Sequence, residues 1–70
     1  MKLSQIMNTI FSLDTVTVAD IRTSEILVDC QVKDNIVESK RYTEELRDLE
    51  VSYITVGKEL GDLIIFVKEN

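Results

Sequence analysis

At 70 residues, with eight Lys and Arg against thirteen Asp and Glu and a formal charge of −5, the chain reads as one small acidic domain over residues 1–70. That length leaves no room for a second core. The sequence holds no His, Pro or Trp and a single Cys, which excludes an internal disulfide framework, a Cys/His zinc site and any mechanism that takes its base from His.

A hydrophobic share of 44% argues for a folded globule rather than a disordered acidic tail. One core of this size supplies only about 3–5 kcal/mol, so self-association is an expectation from the outset. No apolar run approaches the roughly 20 residues of a membrane span, and the opening lacks a secretory apolar stretch. With lone Cys30 this points to a cytoplasmic protein without a membrane partner. No cofactor and no metal site are expected.

The first segment carries Leu3, Ile6, Met7, Ile10 and Phe11 at i, i+3, i+4, i+7 and i+8, one face of a helix. Ser4 is placed to cap it, and it should end near Ser12–Asp14. The period then changes to two. Thr15-Val16-Thr17-Val18 alternates as a first strand, Arg22-Thr23-Ser24-Glu25 forms a hairpin loop, and Ile26–Val32 is a second strand. Ile26, Val28, Cys30 and Val32 share its apolar face, so Cys30 reads as a small buried hydrophobe.

Residues 34–50 are the most charged stretch, with signs that alternate as on a solvated helix face. Asp34 or Asn35 could cap a helix from Ile36-Val37, and Thr43-Glu44-Glu45 marks another start. One irregular helix or two short ones are expected there. Val51–Val56 is a third strand, Gly57–Asp62 a reversal, and Leu63–Val67 a fourth strand with every position apolar.

These elements predict an α+β domain: a four-stranded antiparallel sheet with helices on one face, in the order α-β-β-α-β-β. Such a sheet leaves apolar side chains without cover. One assignment exposes Ile64 and Phe66, with Ile54 and Val56, on the side away from the helices; the other exposes Leu63, Ile65 and Val67. A leftover patch of this kind usually marks an interface. The chain is therefore expected to form a homodimer or higher oligomer, with Ile54, Val56, Ile64 and Phe66 as the interface.

Motifs for chemistry are few. Gly57 and Gly61 lack the spacing of a phosphate loop, and the basic residues are scattered. An acidic chain has no long-range attraction for nucleic acid. Carboxylates are the one group available for catalysis. Asp14, with Asp20 and Asp29 on the first hairpin, could hold a divalent cation for phosphodiester cleavage. The structural alternative is a turn residue bonded to local backbone. A partner surface, if present, is expected at the hairpin tip with Arg22 and Glu25, and along the charged segment with Lys40, Arg41, Tyr42, Glu45 and Arg47.

The opening Met1-Lys2-Leu3-Ser4-Gln5-Ile6-Met7, then Asp14-Thr15-Val16-Thr17-Val18, the hairpin, Val32-Lys33-Asp34, Leu49-Glu50-Val51-Ser52-Tyr53-Ile54 and the closing Leu63-Ile64-Ile65-Phe66-Val67 give a pattern similar to that of short proteins from phages and prophages of Gram-positive bacteria. That group includes proteins resembling a small anti-CRISPR that antagonises the type II effector nuclease. Its fold is similar to that of the transcriptional-coactivator single-strand-binding proteins, a dimeric four-stranded sheet with a helical flank. The resemblance covers nearly the whole chain and rests on pattern.

Two functions follow as expectations. The first is an interaction protein that antagonises a bacterial defence system, binding a host protein or its nucleic acid as an oligomer. The second is a DNA-acting protein, either a single-strand binder or a carboxylate-dependent nicking nuclease that uses Asp14.

Overall fold

The computed structural model describes residues 1–57 and 62–68, with the backbone alone at Glu38. Its elements are α1 (Leu3–Met7), β1 (Leu13–Asp20), β2 (Ile26–Lys33), β3 (Ile36–Glu38), α2 (Glu44–Arg47), β4 (Glu50–Val56) and β5 (Asp62–Lys68). The five strands form one sheet in the order β3-β2-β1-β5-β4.

The cap of α1 lies two residues before the expected Ser4. Lys2 is its N-cap, and the Gln5 side chain accepts a hydrogen bond from the Lys2 N–H at 2.8 Å. After Met7 the chain tightens, with the Thr9 and Ile10 N–H groups bonding back to the Ile6 and Met7 carbonyls in three-residue turns. That keeps Ile10 buried beside Leu3, Ile6 and Met7, whereas Phe11, expected on the same stripe, is 66% exposed.

β1 and β2 pair antiparallel as expected, with Val16 opposite Cys30 and Val18 opposite Val28. Their turn is built on Asp20. Its carboxylate accepts from the Arg22 N–H at 2.8 Å, its carbonyl accepts from the Ser24 N–H at 2.8 Å, and Ser24 takes a positive φ of 61°.

The expected four-stranded antiparallel sheet is corrected at two places. The first is Asp34-Asn35. These residues do not cap a helix; both take positive φ, 52° and 65°. That is the signature of a two-residue hairpin turn, so Ile36–Glu38 returns as a short strand paired with β2. Asn35 also ties this turn to the end of the helical segment, its Nδ2 donating to the carbonyls of Asn8 and Ile10, both at 2.9 Å.

The second correction is the parallel pairing of β1 with β5, from Thr15 opposite Asp62 to Asp20 opposite Val67. Residues 39–49 carry the chain from β3 to β4, and β4 then runs antiparallel to β5. β5 therefore returns alongside β1 in the same direction, and the sheet is mixed. The Lys58–Gly61 part of the expected reversal lies outside the described residues. At its start, Gly57 donates to the Asp62 carbonyl at 3.1 Å, and a Cβ there would sit 2.6 Å from the Asp62 Cβ, so glycine is required by close approach.

Residues opposite one another in a ladder share a face, so the register defines rows across four strands. On the helix-bearing side one row is Cys30, Val16, Leu63, Val56 and the next is Val28, Val18, Ile65, Ile54. Leu3, Ile6, Met7 and Ile10 complete this core, with Tyr42, Leu46 and Leu49 packed at its margin. Cover fails toward β4: Val18 and Ile65 are fully buried, while Ile54 is 43% and Val56 76% exposed.

Asn35→Ala removes two hydrogen bonds and places a Cβ residue without local polar support at positive φ. It should cost about 1–3 kcal/mol, read as a lower urea midpoint. Asn35→Gly, which accepts that φ, should cost less.

Candidate interaction surface

The side of the sheet away from the helices has no second layer among the described residues. Its rows are Asp29, Thr17, Ile64, Thr55 and then Ile26, Ala19, Phe66, Tyr53. The second row is apolar from end to end. Tyr53 stacks on Phe66 with centroids 4.7 Å apart and planes inclined by 27°. Tyr53 is 49% exposed and Ile64 and Phe66 are half-buried. Three threonines on two strands border this stripe, Thr15 and Thr17 on β1 and Thr55 on β4, with the Asp29 carboxylate in the Thr17 row.

Of the four residues expected at an interface, Ile64 and Phe66 do lie on this open face. Ile54 and Val56 do not. A bulge at Ser52 puts Val51 opposite Val67 and Tyr53 opposite Phe66, which turns Ile54 and Val56 to the helix-bearing side. They are exposed there because the cover formed by α1 and residues 39–49 meets β4 at its Glu50 end and does not extend along the strand to them.

The residues expected to bind a partner fall in two places. Arg22 and Glu25 occupy the tip of the β1–β2 turn, where Arg22 Nε lies 3.9 Å from the buried Asp20 carboxylate. Lys40, Arg41, Tyr42, Glu45 and Arg47 lie on the segment between β3 and β4. Within it the Arg47 guanidinium stands 5.1 Å from the centre of the Tyr42 ring, a cation–π contact. Both side chains line a cleft of about 400 Å³ shared with Ser4, Asn8, Asn35 and Ser39. The charged segment is thus a polar wall with one aromatic anchor in the core margin.

The carboxylates do not form a catalytic pair. Asp14 and Asp20 stand near opposite ends of β1, roughly 20 Å apart at about 3.3 Å per residue. Asp20 is 4% exposed and bonded to its own turn, and Asp29 projects from the middle of the open face. Among the described residues no three Cys, Asp or Glu side chains gather into a cation-binding group. None of the described helices is long and apolar enough to cross a membrane.

Cys30 is buried beside Val16. Burial pushes its thiol above the usual range, and Asp29 pushes the same way. Burial likewise raises the Tyr42 phenol, with Arg47 opposing and Cys30 adding. Both groups hold their protons in the fold at pH values where the unfolded chain has begun to lose them. Their effect on stability is therefore constant below the ordinary thiol range and turns unfavourable as pH climbs through it. Urea midpoints should fall across that alkaline window, and Cys30→Ala should flatten its lower part.

Comparison with models of protein families, with curated proteins and with solved structures returns no match.

Proposed function

We propose that this chain is a small protein-interaction module that works as an oligomer. The observation that carries this reading is the apolar row Ile26, Ala19, Phe66, Tyr53 on a sheet face without a second layer among the described residues, in a domain whose single core has little stability to spare. A stacked aromatic pair bordered by threonines is suited to a protein partner, since aromatic anchors dominate such contacts. The setting we infer is antagonism of a bacterial defence complex, with a host defence protein or its nucleic acid as the second partner. That setting rests on the sequence resemblance and on a net charge of −5, which favours approach to basic clefts built for nucleic acid.

One observation favours a second reading, a single-strand binder: two stacked aromatics on an open sheet can stack on bases. The acidity of the chain weighs against it. A nicking nuclease has less support, because Asp14 stands apart from the other carboxylates.

The test adds purified protein to an RNA-guided type II effector and its DNA target. Cleavage should be inhibited by the native sequence and restored by Phe66→Asp, which places a charge in the apolar row. Undiminished cleavage at saturating protein would remove the proposed setting. Salt-dependent binding of a single-stranded oligonucleotide, lost in Phe66→Asp, would favour the second reading.

A further inference from the structure

The outer edge of β4 is the least defended perimeter of the sheet. The Gly57 N–H donates to the Asp62 carbonyl, which fixes the phase of the ladder. Hydrogen-bonded and non-hydrogen-bonded pairs alternate in an antiparallel pair, so Thr55 and Tyr53 turn their backbone groups toward β5. Ile54 and Val56 turn theirs outward. At the other end of β4 the outward Val51 N–H is taken by the Met1 carbonyl at 2.8 Å, and the Leu3 N–H reaches the Leu49 carbonyl at 2.9 Å. The first residues of the chain therefore cap β4 up to Val51 and stop. From Ser52 to Gly57 the edge has no partner among the described residues, and it carries neither charge nor proline. Native edges are usually blunted by one or the other.

We infer that a second copy of this chain pairs with this edge, β4 against β4, antiparallel about a two-fold axis at Thr55. The inference rests on the oligomeric reading above and gives it a geometry. In this register Ile54 faces Val56 of the other copy and Val56 faces its Ile54, so every outward donor meets an acceptor. Thr55 faces its own counterpart as a non-hydrogen-bonded pair, and Tyr53 lies across Gly57.

Three features select a copy of the chain as the occupant. The outward groups of Ile54 and Val56 match an antiparallel strand with the same spacing. Ile54 and Val56 are exposed on the core side, so two copies would close each other's unfinished rows into one sheet of ten strands. And in a chain of charge −5, this uncharged edge is where two copies approach with least repulsion. An edge interface is at the low end of specific contact areas, so the dimer should depend on concentration. The two-fold uses up both β4 edges and leaves the three-residue β3 at each end, so assembly stops at two.

The test combines crosslinking with sedimentation. In a Cys30→Ala background, Thr55→Cys places two Cα atoms about 4.5 Å apart, inside the disulfide window, and should form a crosslinked dimer under mild oxidation. Ile54→Cys alone should not. Val56→Lys should yield a folded monomer by sedimentation and circular dichroism. If the native chain is a monomer throughout the micromolar range, the oligomeric reading fails and this inference with it. If it dimerises, yet Thr55→Cys does not crosslink and Phe66→Asp rather than Val56→Lys disperses it, the open face is the interface. The oligomeric reading then stands, and the β4 pairing is overturned.

Discussion

Val18 and Ile65 lie side by side in the middle of the sheet, on strands that run the same way and belong to distant parts of the sequence. This parallel contact joins the β1–β2 hairpin to the β4–β5 hairpin, and neither hairpin buries its apolar face alone. Everything that positions a surface follows from it. It centres the core on β1 and β5, sends β4 to an edge, and sets Phe66 beside Ala19 on the side away from the helices. The small cover formed by α1 and residues 39–49 is matched to the centre of the sheet and falls short of its margin.

Much of this was legible in local patterning. The Leu3, Ile6, Met7, Ile10 stripe and Val28, Cys30 and Val32 of the second alternation are buried, because a period of 3.6 or 2 reports directly on which face meets a core; Ile26, expected on the same face, is 53% exposed, since a register shift after Val18 sets it opposite Ala19 on the other side. The run Leu63–Val67 carried a subtler message. A strand apolar at every position is one flanked on both sides, and β5 is such a strand, with Ile65 and Val67 inward and Ile64 and Phe66 on the open face.

Other features had no local signal or an ambiguous one. Asp34-Asn35 suits a helix cap and a two-residue hairpin turn equally well by composition. The β-branched Ile36 and Val37 just beyond it were the clue to the turn, but a three-residue strand is too short to show a period. The bulge at Ser52 is a matter of strand register, and it alone decides that Tyr53 rather than Ile54 joins the aromatic row. The direction of β5 relative to β1 depends on where residues 39–49 re-enter the sheet, which no alternation in β5 records. For the surface, Tyr42 and Arg47 were brought together as a pair, whereas Arg22 and Glu25 went to the hairpin tip and Asp14 to a place apart from Asp20.

The central parallel contact also has a kinetic consequence. The strands that must meet are separated by most of the chain, and closing so large a loop costs entropy before any core is gained. The β1–β2 hairpin and the helical segment can form early, but they wait on the last strand for their hydrophobic partners. Folding should thus be slow for so short a polypeptide. During that wait its apolar strands stand open to neighbouring chains, which makes the interval before closure the time of greatest aggregation risk.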